Sequence, residues 1–209
     1  MFSLTLSFKG EHEFYEEESA ESSIKGGLNM LIISVVGMSK SGKTTTIEYL
    51  ISNLTREGYR VGSIKHIHHP EFSIDTEGTD TWRHIHAGAK ITIALAPREI
   101  AIIRKTNAAP NDLESIIRLF GDEDLDVILI EGLRSLTAKR KDIPKIVTAK
   151  DKQDLIKTLE GMEPILAVTG IIAKKKDEVG EINVPLIDLD KEGDILLRLI
   201  KSQIRTTGS

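Results

Sequence analysis

Gly37-Met38-Ser39-Lys40-Ser41-Gly42-Lys43-Thr44 stands between an apolar run, Leu31-Ile32-Ile33-Ser34-Val35-Val36, and a segment with Ile47, Leu50, Ile51 and Leu54 at helical spacing. The octapeptide fills the pattern G-x-x-x-x-G-K-[ST], and a buried strand before it with a helix after it is the setting this pattern needs. Each position has a chemical reason. Gly37 and Gly42 let the backbone curl until successive N–H groups point inward at phosphate oxygens, and the positive end of the helix adds to their pull. Lys43 supplies a mobile cation for the outer phosphates, and the Thr44 hydroxyl is a Mg²⁺ ligand. The stretch therefore predicts a nucleoside triphosphate site built from Gly37, Met38, Ser39, Lys40, Ser41, Gly42, Lys43, Thr44 and Thr45.

Working outward, Arg60 to His66 reads as a second strand after Gly58. A polar loop over 67–80 leads to a short helix ending near Ala87-Gly88. Lys90–Ala96 and Glu99–Arg104 are β-rich runs joined at Pro97-Arg98, the pattern of a hairpin. A helix from about Asn111 to Phe120 is expected, with Asn111 and Glu114 as a capping pair. Strands near 125–130, 143–148 and 164–169, a helix near 151–160 and a last helix from about Lys191 complete the chain. Strands alternating with helices predict an α/β P-loop NTPase fold, with a mostly parallel sheet, helices on both faces and a hairpin insertion.

Composition sets bounds. The 209 residues are 40% hydrophobic and 29% charged, enough for one full core, and no apolar stretch reaches transmembrane length. The chain has no cysteine, which removes disulfides and thiolate ligands and is compatible with a cytoplasmic protein. Met1 to Phe8 lacks a basic start or a small-residue cleavage site and makes a poor signal peptide. Residues 1–29 are acidic, carrying six glutamates against two lysines, and read as a loosely attached extension to a nucleotide-binding domain over 30–209. A start at Met30 would leave the function intact. With net charge −4 concentrated in that segment, no global basic field argues for nucleic acid. Basic clusters at Arg134, Lys139, Arg140, Lys141 and Lys145, and at Lys174-Lys175-Lys176, are read as solvated surface, with an anion-facing rim as the alternative.

Two further elements carry chemistry. Asp126-Val127-Ile128-Leu129-Ile130-Glu131-Gly132 is an apolar strand with an acid at its carboxyl end, the edge where ligands collect in open α/β sheets. Glu131 is expected to face the phosphate loop, holding Mg²⁺ or orienting water, and with Lys43 it forms the expected catalytic pair. Five of the six histidines, His66, His68, His69, His84 and His86, fall within residues 66–86. They invite a zinc or nickel site, or, for His66 and His68, hydrogen bonds to phosphate. Asp75 and Asp80 sit in the same stretch as Mg²⁺ or water-network carboxylates, with Asp75 the candidate third Mg²⁺ ligand beside Thr44 and Glu131.

The order Lys65-His66-x-His68-His69, Asp75-x-x-Gly78-x-Asp80, Arg83, Ala87-Gly88-Ala89, then Leu129-Ile130-Glu131-Gly132-Leu133 and Pro144-Lys145-Ile146, resembles the molybdopterin-guanine dinucleotide biosynthesis protein B (MobB) family. The resemblance runs from about Met30 to the C-terminus. It implies a cytoplasmic GTP-binding protein with slow Mg²⁺-dependent hydrolysis, a homodimer, and an accessory to a separate MobA-like nucleotidyltransferase that attaches GMP to molybdenum cofactor. Two positions depart from the family's pattern. Lys40 adds a positive charge beside the phosphates, and Thr81-Trp82 replaces a serine followed by a variable residue. No Asn/Thr-Lys-x-Asp element for guanine is present; the strand at Ile165 ends in Thr169-Gly170, so guanine preference comes from the resemblance. Two other classes fit the residues alone, a metallochaperone GTPase using the histidine loop and an ATP-dependent small-molecule kinase.

Overall fold

Five parallel strands, β1 (Leu31–Gly37), β2 (Val61–Lys65), β5 (Val127–Glu131), β6 (Lys145–Thr148) and β7 (Ile165–Thr169), lie side by side in the order β2-β5-β1-β6-β7. The computed structural model describes residues 30–108 and 110–207, so the reading of 1–29 as an extension lies outside the described residues. A single parallel bridge, Val168 to Leu186, continues the sheet past β7. The order places β1 in the middle, and its register sets Val35 beside Glu131 and Gly37 beside Thr148. All the strands run the same way, so their carboxyl ends meet at one edge, where the phosphate loop leaves β1.

The strands are apolar on both faces because helices cover both. Along β1 the period of two sends Leu31, Ile33 and Val35 to one side and Val36 to the other. The first face packs under α1 (Lys43–Arg56) and α7 (Leu189–Thr207) through Ile47, Leu50, Leu54, Leu196, Leu197 and Ile200. The second face packs under α3 (Leu113–Ile117) and α5 (Lys152–Leu159), through Leu113 against Ile128 and Ile130, and Leu155 against Val147 and Val168. Two single-turn helices, α4 (Arg134–Thr137) and α6 (Lys176–Val179), follow β5 and precede α7. Leu50 is fully buried, and its truncation to alanine falls in the class that costs about 2–5 kcal/mol.

Outside this sheet, α2 (Asp80–His86) leads to an antiparallel pair, β3 (Ile91–Ala96) and β4 (Glu99–Arg104), turning at Pro97-Arg98 as the sequence pattern predicts. The pair forms a two-stranded sheet of its own.

Three local expectations need correction. The cap of α3 is Asp112, whose Oδ1 accepts from the Ser115 amide at 2.7 Å; Asn111 plays no such part, and Glu114 accepts from the Arg140 guanidinium at 2.6 Å instead. Asn111 and Asp112 are equally capable caps, and only the backbone path chooses between them. The helix also stops at Ile117, with a 3₁₀ turn over Arg118–Phe120. Lys145 belongs to no surface cluster. It is fully buried, and its ammonium donates to the carbonyls of Arg140 and Glu163, tying together the loops before β6 and β7. Burial pushes this amine below the usual lysine range.

Gly193 in α7 shows how closely the two helices on the first face approach. A Cβ there would collide with the Tyr49 hydroxyl and ring of α1. Alanine gains about 1 kcal/mol of helix propensity over glycine, whereas overpacking costs about 1–3 kcal/mol. The clash wins because Tyr49 must rotate out of a packed interface. Gly193→Ala is therefore expected to lower the urea-unfolding free energy by about 1–2 kcal/mol, and Tyr49→Leu in the same chain to recover most of it. A Gly193→Ala protein more stable than the parent would show that Tyr49 moves freely.

Candidate functional site

The loop after β1 keeps its shape through close backbone approach. A side chain at Gly37 would collide with Thr148 Oγ1 and carbonyl oxygen and come within 2.5 Å of Ser41 Oγ. In the space thus left, the buried Ser41 hydroxyl meets Thr148 Oγ1 at 2.6 Å and donates to the Met38 carbonyl at 2.8 Å. Gly42 follows at φ +108 and caps α1, in a backbone region that glycine enters without steric cost. No side chain caps α1 and no acid occupies its first turn, so the positive helix end is presented to the cavity above it. Lys40 stands at the crest of the loop at φ +61, an uncommon conformation for a residue with a Cβ.

Lys43 bridges the loop, its ammonium donating to the carbonyls of Gly37 at 2.9 Å and Met38 at 2.8 Å. Burial is the main cause that lowers its pKa, opposed by the nearby Glu131 carboxylate. Thr44 Oγ1 donates to the two Glu131 oxygens at 3.1 and 3.2 Å. Glu131 is buried at the end of β5, and Lys65 ends the neighbouring β2 in register with it, so the Lys65 ammonium forms an ion pair with the same carboxylate. Asp126, at the opposite end of the sheet, accepts from Arg60 N at 2.7 Å and from its guanidinium at 2.6 Å, which holds the acid below the usual carboxylate range.

These groups surround a cavity of about 920 Å³, within the range of ordinary ligand sites. Met38, Ser39, Lys40, Lys43, Thr44 and Thr45 form its floor, with Lys65, Glu131 and Gly132 on one wall and His66 and His68 beside them. His66 packs against Gly132, and its ring meets that of His68 edge-on at 4.2 Å. Burial and the neighbouring His68 lower the His66 pKa. Arg134, Ser135 and Ile171 also line the cavity; of the basic cluster read as solvated surface or an anion-facing rim, Arg134 reaches it, while no sequence motif marks Ser135 or Ile171. Arg134 is also tied to the end of α5, donating to the Glu160 carbonyl at 2.6 Å.

Thr44 and Glu131 therefore come together, and Asp75 does not join them. Asp75 lies in the turn before α2, where one carboxylate oxygen accepts from the Thr79 and Thr81 hydroxyls, each at 2.9 Å, and from the Thr76 amide at 3.0 Å. Thr79 in turn caps α2. The histidines divide as well. His84 and His86 line a separate hollow on α2, where His86 stacks on Trp82 at 3.6 Å. Among the described residues, no three His, Asp or Glu side chains are grouped to hold an ion. The histidine-loop reading of a metallochaperone thus lacks a ligand set there.

The strand end at Thr169-Gly170, which the sequence marked only as missing a guanine element, supports the loop. Gly170 sits at φ +91, where a Cβ would collide with the Ser41 carbonyl and press on Ala149. Beyond it, a smaller cavity of about 180 Å³ is lined by Lys174, Asp188 and Asp190, and shares Gly42, Thr45 and Ile171 with the larger one.

Residues 32–170 match the family model for molybdopterin guanine dinucleotide synthesis protein B, MobB. This chain belongs to the MobB family. The Escherichia coli molybdopterin-guanine dinucleotide biosynthesis adapter protein is 30% identical over 164 residues, 78% of this chain and 87% of that protein. A relative from Methanocaldococcus jannaschii is 37% identical over 129 residues, 61% of this chain, and this chain spans about half of that relative's length, 51%. The crystal structure of Bacillus subtilis MobB superposes with a TM-score of 0.65 at 28% identity, covering 83% of this chain and 98% of that one. The α/β fold with its central parallel sheet is thus the MobB fold. No helix among the described residues is long and apolar enough to cross a membrane.

Gly170 gives a direct test of how the loop is supported. Alanine at Gly161, φ +68 with nothing within 4 Å, meets only the left-handed backbone penalty of about 1–2 kcal/mol. Gly170→Ala adds the collision with Ser41 and is expected to cost about 3 kcal/mol or more in urea unfolding. Equal losses at the two positions would mean that the approach of Gly170 to the loop contributes nothing.

Proposed function

We propose that this MobB-family chain binds GTP with Mg²⁺ in the larger cavity, hydrolyses it slowly, and serves as an adapter to a nucleotidyltransferase in molybdopterin guanine dinucleotide formation. The observation that carries this is the meeting of Lys43, Thr44 and Glu131 beneath the open end of α1. Backbone amides, a helix terminus and a lysine are a triphosphate's complement, while a hydroxyl and a carboxylate 3.1 Å apart are hard oxygen donors suited to Mg²⁺. When bound there, Mg²⁺ supplies charge neutralisation to the phosphate oxygens. Thr44 and Glu131 hold the ion's position, and Lys43 turns from the Gly37 and Met38 carbonyls to the outer phosphates. His66 and His68 add donors at the wall. Arg134, the arginine of the lining, is held by the Glu160 carbonyl at 2.6 Å, in keeping with slow hydrolysis.

A preference for guanine has a physical basis in the smaller cavity. It opens beside Thr45, and there Lys174 donates to Asp190 at 2.7 Å. A guanine edge presents one acceptor, O6, next to two donors, N1–H and the N2 amine, and an ammonium beside carboxylates matches that order. Adenine, with a donor in place of O6, does not.

The adapter role comes from the relatives' names, and the transferase partner and cytoplasmic location follow from it. A homodimer has its own support in the β3–β4 hairpin. Ile91, Ile93, Leu95, Ile100 and Ile102 share one face of that pair and all are exposed, Leu95 at 76% and Ile100 at 68%. Five large apolar side chains side by side mark a covered surface. A second copy of the chain can cover it with the same patch.

Calorimetric titration of GTP and of ATP, each with Mg²⁺, checks the nucleotide. GTP is expected to bind at least ten-fold tighter than ATP, and Lys43→Ala to abolish both without loss of fold by circular dichroism. Tighter ATP binding would favour a small-molecule kinase. For the dimer, sedimentation should give a dimer for the parent and a monomer for Ile93→Lys with Ile100→Glu. An unchanged assembly in the variant would place the interface elsewhere.

A further inference from the structure

Among the described residues, Lys65 is the one cation in an ion pair with Glu131, and no part of the motif chemistry assigns it a task. The pairing is built by the sheet. β2 and β5 run parallel with Lys65 opposite Glu131, so the two side chains leave adjacent strand ends on the same edge. Glu131 is buried, while Lys65 is about half exposed and free to swing into the cavity that both residues line. Lys43, by contrast, is occupied by the Gly37 and Met38 carbonyls. The carboxylate thus has a hydroxyl donor, Thr44, on one side and an ammonium on the other.

We infer that Lys65 takes the place of the divalent cation at Glu131 until a metal arrives and then swings its ammonium to the terminal phosphate. The inference rests on the reading of Thr44 and Glu131 as the metal's holders. A buried carboxylate without a counter-charge is costly, so an empty site needs a cation at this point, and Lys65 supplies it. Metal and ammonium cannot share the oxygen, because two positive charges in contact repel strongly in a half-buried site. Arrival of the metal therefore releases Lys65, whose stem is anchored at the strand end and whose ammonium stays within the cavity. The anion that a bound triphosphate brings there is its outermost phosphate. One side chain then keeps Glu131 neutralised in the empty site and binds the group that distinguishes a triphosphate from a diphosphate in the filled one.

The test compares the parent with Lys65→Gln and, as a control, Glu131→Gln. Mn²⁺ is the probe, titrated by electron paramagnetic resonance into nucleotide-free full-length protein. Lys65→Gln is expected to bind Mn²⁺ at least ten-fold tighter than the parent, because the competing ammonium is gone, and Glu131→Gln to bind none. In calorimetry with Mg²⁺, Lys65→Gln is expected to lose at least ten-fold of the parent's preference for GTP over GDP. Equal or weaker Mn²⁺ binding in Lys65→Gln, or no Mn²⁺ binding by either protein, overturns the inference; so does an unchanged preference for GTP. The Mn²⁺ arm is read without nucleotide, so failure of the parent to bind GTP would count against the proposed function and leave the metal comparison standing.

Discussion

Two hydroxyl groups sealed from water, Ser41 and Thr148, 2.6 Å apart, fix the path of the loop on which the rest of the site depends. A buried hydroxyl without a partner costs about 1–3 kcal/mol, so the pair locks each member to the other. Gly37 must lack a side chain for the contact to form, and Gly170 must lack one so that the Ser41 carbonyl can lie against it. With the loop pinned at Ser41, Gly42 turns into α1 and sets the directions of Lys43 and Thr44. The loop is therefore held by β6 and β7 as much as by β1. It stays folded by contacts on its inner side, leaving its outer side free for a ligand.

The same edge gathers the charges. The parallel register delivers Glu131 from β5 and Lys65 from β2 to the rim of one cavity, and Thr44 reaches them from the first turn of α1. No single element carries the site. Three strand ends and a helix end meet there because all five strands point the same way, and the site is as rigid as the sheet beneath it.

Patterns that are local in sequence were legible in advance. The phosphate loop, the acid closing an apolar strand, the hairpin at Pro97-Arg98 and the alternation of strand and helix each declare themselves within about fifteen residues, and the resemblance to MobB proteins was carried by such motifs. What escaped is what register creates. Thr148 lies 107 positions from Ser41, and Lys65 lies 66 from Glu131; nothing near either residue names its partner. Lys145 misled because a charged residue in a basic stretch reads as surface, while its buried ammonium answers two carbonyls supplied by separate loops. The separation of His66 and His68 from His84 and His86 was equally invisible, since it follows from where α2 lies and not from the spacing of the residues. The choice of Asp112 over Asn111 as cap turned on one residue of backbone path.

The apolar face of β3 and β4 also bears on what the stability of this chain means. If a second copy covers the five exposed aliphatic side chains, as proposed, the free energy of association is added to that of folding. By mass action, that contribution grows with the logarithm of protein concentration. In that assembly the folded state has no single midpoint of unfolding. A dilute chain and a concentrated one would share every internal contact of the parallel sheet yet unfold at different temperatures, and the difference would measure the strength of the contact between copies.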